Sequence, residues 1–352
     1  MSLDAETTAV RQGHEIDEAR LLDYLDRNVP GIGNLAAISQ FRGGQSNPTF
    51  LIQAQGRAWV MRKKPPGVLL PSAHQVEREY QVMKALAGTD VPVPRMVHLC
   101  EDASIVGTAF YIMEGLEGRV FRDVTLPELS PGQRGKIYEA MGKTLAALHR
   151  VDWRAVGLEG FGKPTGYVSR QVSRWSRQYE ATKTHDTISM DNVMAWLARN
   201  LPETDEAAIN HGDFRVENMI FHPTEPRVLG VLDWELATIG HPLPDLAYNC
   251  LPYHVPADFP GIGGLNGLDR THGIPSEEEY VAAYCACTGR KEIEHWHYYV
   301  AFSLFRTAAI LQGVYARALQ KTASNENALS VGKLASEVAD MAWAAAGRDG
   351  RA

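Results

Sequence analysis

Cysteine is scarce in this sequence, which excludes a fold held together by disulfides. The 352 residues include four cysteines, at Cys100, Cys250, Cys285 and Cys287. Four are too few for a disulfide framework in a chain this long, and no second Cys or His pair stands at structural-zinc spacing. The first residues also lack a basic segment followed by an apolar run, so no secretory leader is expected. These absences predict a cytosolic protein with reduced thiols.

Basic charge is in the minority, because 35 Lys and Arg residues are outnumbered by 42 Asp and Glu residues, for a formal net charge of −7. No general positive field is available for nucleic acid or an anionic membrane surface, so an anionic ligand would need a local basic cluster. The apolar stretch 299–310 is interrupted by Ser303 and Arg306 and is shorter than the roughly 18 residues that a spanning helix needs. We therefore predict no nucleic-acid partner and no membrane segment.

Apolar sequence suited to a folded core is abundant, with 45 % hydrophobic and 22 % charged residues. This composition is typical of a globular protein, and the length allows about two domains. After a lead-in with one short amphipathic helix, β-rich runs surround a predicted hairpin turn at Gln55-Gly56. An amphipathic helix over about 72–87 and a strand reaching Met113 follow. The first part is therefore predicted to be a small antiparallel sheet with one main helix.

The sequence becomes mainly helical past Gly115. Apolar residues recur at helical spacing over about 132–150, which predicts an amphipathic helix there. One interruption, 228–232, is an apolar run compatible with a buried strand. The predicted domains are a lead-in over 1–30, an N-lobe over 31–114 and a C-lobe over 115–352.

The strongest chemical signal is a polar run, HGDFRVENMI, that begins at His211 and is followed after a short gap by DWE from Asp233. Phosphoryl transfer needs a carboxylate to accept or orient the proton of the nucleophile, and hard oxygen ligands for magnesium. Asp213 supplies the first, and Asn218 with Asp233 supplies the second. Glu235 would point to the same side as Asp233 if the segment were strand-like, which makes it a third candidate metal ligand.

A glycine-rich segment upstream bears on this interpretation, because an isolated Asp-x-x-x-x-Asn spacing is usually a loop of turn-forming residues. The run GGQSN begins at Gly43 and lies between two predicted strands. Gly43 and Gly44 would let backbone N–H groups approach a phosphate, and Ser46 would add a hydroxyl donor. By itself such a segment is commonly just a turn.

The order His-x-Asp-x-x-x-x-Asn followed by a further Asp resembles the catalytic loop of aminoglycoside phosphotransferases, which are related to protein kinases. Gly212 replaces the Arg of the protein-kinase form, and the connection from Glu235 to Asp245 is short, which favours a small-molecule kinase. More narrowly, RKKPPG, HGDFRVEN and DWELATIGHPLPDLAY look like the kinase domain that some proteins carry fused to an acyl-CoA dehydrogenase. The resemblance covers about 38–319. It implies an α+β, two-lobed protein-kinase-like fold with an antiparallel-sheet N-lobe and a larger, mostly helical C-lobe.

The resemblance also implies nucleotide-binding residues in the N-lobe. Arg62 stands where most such kinases have the Lys that holds the α- and β-phosphates, and Lys63 and Lys64 follow it. Arg can clamp a phosphate with two hydrogen bonds, but the sequence leaves open which of the three residues binds. Glu79 aligns better than Glu77 with the helix Glu that fixes this cation; the alternative is a solvated helix face.

Four further positions take their roles from the resemblance alone. Met113 and Glu114 match the hinge whose backbone pairs with adenine. His211 and Asp245 match residues that brace the catalytic loop and are interpreted as structural. The cofactors implied are ATP or GTP together with Mg²⁺.

Taken together, the motifs predict an ATP- and magnesium-dependent phosphotransferase to a hydroxyl group of a small molecule. Three alternatives stay open: an aminoglycoside or amino-alcohol kinase, a nucleotide-binding pseudokinase with a regulatory role, and a protein kinase. Retention of Asp213, Asn218 and Asp233 argues against the pseudokinase, and the short segment after Glu235 argues against the protein kinase. The sequence gives no indication of the oligomeric state.

A basic stripe suggests that the small-molecule substrate is anionic, for example a hydroxyacyl-CoA. Arg170, Arg174 and Arg177 recur at i, i+4 and i+7, which on a helix places them on one face. Arg306 is a weaker candidate for the same pocket. The alternative interpretation of the stripe is a solvated helix face packed by Val172 and Trp175.

Overall fold

Two compact units make up the structure, a computed structural model that describes residues 3–29, 32, 35–43, 47–67, 74–259, 263–321 and 328–350. The first unit comprises Met1–Val120, Arg154–Leu158 and Glu217–Ala237, and the second comprises Phe121–Trp153, Glu159–Val216 and Thr238–Ala352. The chain therefore returns twice to the first unit after leaving it. Within the described residues, no helix combines the length and apolarity needed to cross a bilayer.

A six-stranded antiparallel sheet is the centre of the first unit, with strand order β1-β2-β3-β4-β6-β5. Its strands are β1 (Thr7–Thr8), β2 (Leu35–Phe41), β3 (Thr49–Ala54), β4 (Arg57–Lys63), β5 (Met96–Cys100) and β6 (Phe110–Glu114). The predicted hairpin turn is confirmed between β3 and β4, where Gln55 and Gly56 have φ of 51° and 71°. Two consecutive residues with positive φ match the twist of the flanking strands, which is why such turns connect hairpins.

Three helices accompany this sheet: α1 (Glu18–Asn28), α2 (Val76–Leu86) and α3 (Ala103–Val106). The predicted lead-in helix is α1, which begins after the N-cap Asp17 and packs Leu21 and Leu25 into the core with Phe50. The main predicted helix is α2, although residues 72 and 73 of the predicted span lie outside the described residues. Its buried face includes Glu79, and a buried carboxylate needs partners to offset its desolvation.

A small hairpin completes the first unit, formed by β8 (Met219–Phe221) and β9 (Val228–Val231). The predicted buried strand at 228–232 is confirmed as β9, which ends one residue earlier. Met219 pairs with Val231, and the backbone N–H of Leu232 donates to the carbonyl of Asn218 at 2.8 Å. The residues that follow β9 therefore lie beside the residues that precede β8.

The second unit is mainly helical. Its helices are α4 (Pro131–Arg150), α5 (Tyr167–Thr182), α6 (Ile188–Arg199), α7 (Pro242–Asn249), α8 (Glu277–Thr288), α9 (Trp296–Leu319), α10 (Ala328–Gly332) and α11 (Ala335–Arg348). The predicted helix over 132–150 is α4, with Pro131 at its first turn and a capping box between Ser130 and Gln133. A two-stranded antiparallel ladder joins β7 (Ala208–Asn210) to β10 (Thr238–Gly240).

Candidate active site

The first unit contains a buried ion-pair network around Arg62 at the end of β4. Nε of Arg62 lies 3.1 Å from Oε2 of Glu79, and one terminal nitrogen of its guanidinium donates to Oδ1 of Asp233 at 2.6 Å. The same nitrogen lies 3.9 Å from Oε2 of Glu235. Arg62 is 8 % exposed and Glu79 is 0 % exposed. One guanidinium thus lies within ion-pair distance of three carboxylates.

Glu79 accepts hydrogen bonds from two other buried side chains. Nδ2 of Asn47 donates to Oε1 at 2.9 Å, and the hydroxyl of Tyr111 donates to Oε2 at 3.1 Å. Burial raises the pKa of Glu79 to about 7, although the Arg62 guanidinium opposes that rise. The ion pair with Arg62 and the two hydrogen bonds from Asn47 and Tyr111 explain how a charged residue is tolerated on the buried face of α2.

Among the three adjacent basic residues, the one that pairs with Glu79 is Arg62. Successive strand residues point to opposite faces, so Lys63 is directed away from Glu79 and its Nζ donates to the carbonyl of Val106 at 3.0 Å. Burial lowers the pKa of Lys63. Lys64 forms an ion pair with Glu77. The structure thus speaks against the predicted contact of Lys63 with the nucleotide and favours the choice of Glu79 over Glu77.

Replacing Arg62 with Met is expected to lower the free energy of unfolding by about 3–5 kcal/mol, because it removes the cation from the buried Glu79. Without that cation the pKa of Glu79 rises beyond about 7 in the folded protein, against an ordinary value of 4.5. A raised folded-state pKa gives stability that is complete below the ordinary value and is lost as pH rises through the folded value. Urea melts should therefore show a larger deficit at pH 8 than at pH 5.

The matched control for this variant is Lys64→Met, which removes a cation whose side chain is 24 % exposed. We expect it to cost less than about 1 kcal/mol, as partly exposed pairs usually do. A deficit for Arg62→Met that is equal at both pH values, or no larger than that of the control, would contradict the buried network described here.

Asp233 occupies a strained turn two residues after the end of β9. Its φ of 65° and ψ of 58° are left-handed, and the chain continues as a 3₁₀ turn over Trp234–Leu236. The segment is therefore not strand-like, because the left-handed residue ends the extended backbone. Arg62 nonetheless lies near both Asp233 and Glu235. Left-handed non-glycine residues cluster at functional sites, where surrounding contacts compensate for the strain.

Asn218, Asp233 and Glu235 form a donor set that fits magnesium. Pairing of β8 with β9 places Asn218 across from Leu232 and hence next to Asp233. In the described part of the chain, no three His, Cys, Asp or Glu side chains are grouped so as to hold a metal by themselves. Mg²⁺ commonly takes one or two carboxylates and completes its shell with water and substrate phosphates. One amide and two carboxylates meet that requirement.

The nucleotide-contact residues predicted from the hinge and the glycine-rich segment are partly described. Met113 and Glu114 lie at the end of β6, where the N–H of Glu114 donates to the carbonyl of Arg95 at 3.0 Å. The N–H of Gly115 donates to the carbonyl of Ala58, also at 3.0 Å. These two N–H groups are thus already bonded within the protein. A methyl group added at Gly43 would meet no atom within 4 Å, whereas Gly44 and Ser46 lie outside the described residues.

The second unit contains Asp213, three residues beyond β7. The hydroxyl of Tyr248 donates to Oδ1 of Asp213 at 2.7 Å, and Nε of Arg215 lies 3.8 Å from the same oxygen. Gly212 has φ of 84°, a conformation that glycine adopts without the strain of a side chain. The replacement of the protein-kinase Arg by Gly212 therefore has a local structural reason.

Asp245 binds the backbone of the loop that carries Asp213. Its carboxylate accepts the N–H groups of His211 and Gly212 at 2.7 and 2.9 Å. Nδ1 of the buried His211 accepts the N–H of Asp213 at 3.2 Å. Burial would raise the pKa of Asp245, but its hydrogen bond to His149 and the bonds to the loop outweigh this effect and lower that pKa. These contacts support the structural roles predicted for His211 and Asp245.

The predicted basic stripe lies on α5, but its members differ in what they contact. Arg170 donates to the carbonyl of Lys163 at 2.7 Å and to that of Thr165. Its charge is thus used to hold the loop that precedes α5. Arg174 and Arg177 are exposed, and they remain the stripe residues suited to a solvent-borne anion.

The side chain of Arg306 is not an exposed cation like Arg174 and Arg177, because it contacts other residues of the second unit. One terminal nitrogen of its guanidinium donates to the carbonyl of Gly212 at 2.8 Å. The guanidinium carbon lies 4.9 Å from the ring centre of Tyr248 and 5.5 Å from that of Trp175. Tyr248 was not predicted from the sequence; a helix assigned to 242–249 would have placed it on one face with Asp245, three residues earlier.

Comparison with known proteins shows the family and the fold of this chain. Residues 37–296 match the model of the phosphotransferase enzyme family. A crystal structure of a candidate aminoglycoside phosphotransferase from Ralstonia eutropha is 46 % identical with a TM-score of 0.87, over 95 % of this chain and 99 % of that one. An aminoglycoside phosphotransferase solved with AMP-PNP and hygromycin B shares the fold at 14 % identity and a TM-score of 0.60, over 92 % of this chain and 98 % of its own. The protein-kinase-like α+β fold predicted from the motifs is confirmed.

Curated members of the acyl-CoA dehydrogenase family are similar to this chain over nearly its whole length. Mouse acyl-CoA dehydrogenase family member 10 is 48 % identical over 347 residues, which are 98 % of this chain and 32 % of the relative. Chicken acyl-CoA dehydrogenase family member 11 is 46 % identical over 348 residues, 97 % of this chain and 45 % of the relative. The chain thus spans less than half the length of these relatives. It belongs to the phosphotransferase enzyme family, and the resemblance predicted from its motifs is confirmed.

Proposed function

We propose that this chain transfers the terminal phosphoryl group of ATP or GTP to a hydroxyl group of a small molecule, with magnesium as the metal. The observation that carries this proposal is the buried Arg62 guanidinium shared by Glu79 and Asp233, in a chain of the phosphotransferase family. Relatives support the nucleotide, because one was solved with AMP-PNP and another, an aminoglycoside 2′-phosphotransferase, with GDP.

We assign roles in this reaction to five residues, which are Arg62, Asp213, Asn218, Asp233 and Glu235. Asp213 takes the proton of the acceptor hydroxyl as the oxygen attacks the terminal phosphorus, and the bond from that phosphorus to the bridging oxygen breaks. The products are a phosphate ester and a nucleoside diphosphate. Arg62 binds the phosphates, and Asn218 with Asp233 holds the metal, with Glu235 as an additional ligand. Bound magnesium would neutralise the charge of the phosphate chain.

Nucleoside diphosphate release in the presence of Mg²⁺ and a panel of hydroxyl acceptors tests this function directly. The panel should include hydroxyacyl-CoA esters, amino alcohols and aminoglycosides, each with ATP and with GTP. Acceptor-dependent release supports the kinase. Tight nucleotide binding without release on any acceptor would favour the regulatory pseudokinase instead.

An anionic acceptor such as a hydroxyacyl-CoA is the substrate class that we favour. Positive charge in the second unit supports an anionic acceptor. Arg215 lies beside Asp213, and Arg174 and Arg177 are exposed on α5 of the same unit. Arginine forks bind phosphate oxygens well, whereas a polycationic aminoglycoside would need an acidic pocket. The relatives named as acyl-CoA dehydrogenase family members add independent support for a CoA ester.

Reversing the charge of the two exposed stripe residues, Arg174→Glu with Arg177→Glu, should raise KM for a 4-hydroxyacyl-CoA by roughly five- to thirtyfold. Each reversal exchanges an attraction of roughly 0.25–0.5 kcal/mol for a repulsion of similar size, so the two reversals together cost about 1–2 kcal/mol. The control is Lys291→Glu, an equal reversal at an exposed position between α8 and α9. Initial rates on the CoA ester and on kanamycin provide the measurement. Turnover confined to kanamycin, or an unchanged KM in the double variant, would reject the anionic acceptor.

A further inference from the structure

Helix α7 presents two side chains to the catalytic loop from one face. Asp245 and Tyr248 are three residues apart, so they are neighbours on the helix surface. Asp245 accepts N–H groups of the loop backbone, and Tyr248 donates its hydroxyl to the carboxylate of Asp213 at 2.7 Å. The same helix thus holds both the backbone of the loop and its reactive side chain.

Helix α9 supports this arrangement from another side. The guanidinium of Arg306 donates to the carbonyl of Gly212 and lies 4.9 Å from the ring centre of Tyr248, within cation–π range. One turn earlier, the hydroxyl of Ser303 donates to the carbonyl of Pro244 at 3.4 Å, which ties α9 to the start of α7. Arg306 therefore restrains both the residue before Asp213 and the ring that donates to it.

We propose that Tyr248 is a positioning residue for Asp213, and that Arg306 acts with it as a second positioning residue rather than as part of the acceptor pocket. The inference rests on the proposed role of Asp213 as the carboxylate that takes the acceptor proton. A carboxylate with one oxygen bonded to a packed phenol has a restricted orientation, and proton transfer depends steeply on that geometry.

The phenol keeps its own proton in this arrangement. Burial first, and then the neighbouring Asp213 carboxylate, raise the pKa of Tyr248 above its usual value. Tyr248 is thus a hydrogen-bond donor near neutral pH, and the proton lost by the acceptor goes to Asp213. The hydroxyl orients the carboxylate without entering the proton balance.

Tyr248→Phe keeps the ring beside Arg306 and removes the donor alone. We expect kcat to fall roughly ten- to hundredfold, while KM for nucleotide and acceptor changes less than about twofold, because orientation acts on the reacting geometry and not on binding. In a double-mutant cycle, adding Tyr248→Phe to Asp213→Asn should cause no further loss, since the two residues act as one unit. Tyr315→Phe, about 13 Å further along α9 than Arg306, controls for loss of a hydroxyl.

The outcomes separate this inference from the proposed function. If the native protein phosphorylates no hydroxyl acceptor, the proposed function itself fails; if it does and Asp213→Asn keeps that activity, the proposed role of Asp213 fails. If Asp213→Asn is inactive while Tyr248→Phe is fully active, or if the two losses multiply, the positioning role of Tyr248 fails alone.

Arg306→Met should lower kcat about tenfold with KM for the acceptor unchanged, and Arg306→Lys should recover part of the lost kcat. A raised KM for the acceptor with a normal kcat would show instead that Arg306 belongs to the acceptor pocket.

Discussion

Asp213→Asn is expected to lower kcat by roughly 10²- to 10⁴-fold, the loss usual for removal of a general base. The amide has the shape of the carboxylate, and its oxygen can still accept the hydroxyl of Tyr248, which lies 2.7 Å from Oδ1 in the native protein. It cannot take the proton of the acceptor hydroxyl. Steady-state rates at saturating nucleotide and acceptor provide the measurement, and binding of both substrates should be retained.

The matched control is Asp186→Asn, the same exchange at a carboxylate that is 93 % exposed in an ion pair with Lys183. It should leave kcat within about twofold of the native value, because exposed pairs of this kind contribute little. An Asp213→Asn protein that turns over at a rate close to the native one would remove Asp213 from the chemistry.

Asp233→Ala is expected to abolish most of the effect of magnesium on nucleotide affinity. The substitution removes a carboxylate ligand, and it also removes the partner that holds the guanidinium of Arg62 at 2.6 Å. Calorimetric titration of ATP with excess Mg²⁺ and with EDTA should show strong metal dependence in the native protein. We expect the variant to lose at least about tenfold in affinity when magnesium is present, since metal sites respond on this scale even to changes among their outer partners.

Asp26→Ala on the exposed face of α1 controls for the loss of a carboxylate within the same unit. Glu235→Ala tests whether Glu235 is a metal ligand. If it is, the substitution should reduce the magnesium dependence of nucleotide affinity, and if it is not, that dependence should be unchanged. Equal magnesium dependence in Asp233→Ala and the native protein would show that Asp233 does not hold the metal.

Local chemistry explains which parts of the fold were predictable. Positive φ at Gln55 and Gly56 follows from the turn that a two-residue hairpin requires, and the bounds of α4 follow from periodicity and from its capping residues. The order of the motifs was enough to predict the family and the protein-kinase-like fold. These features depend on residues close together in sequence or on a resemblance of the whole chain.

Long-range contacts explain what the sequence left open. Which of three adjacent basic residues meets Glu79 depends on how β4 is placed in the sheet, and the contact of Lys63 with Val106 shows that Lys63 points elsewhere. The strand-like interpretation of 233–235 failed because a left-handed Asp has no distinct sequence signal. Arg306 was grouped with the stripe by charge, whereas its contact with Gly212 joins residues 94 positions apart.

Phosphorus NMR of a reaction with Mg-ATP and a 4-hydroxyacyl-CoA is the most direct test of the central claim, which is phosphoryl transfer to a hydroxyl group by this chain. We expect a new phosphate-ester resonance that grows in step with ADP, and its loss in Asp213→Asn. Consumption of ATP that yields only inorganic phosphate with every hydroxyl acceptor offered would contradict phosphoryl transfer, and ester formation that continues at the native rate in Asp213→Asn would contradict the role of Asp213.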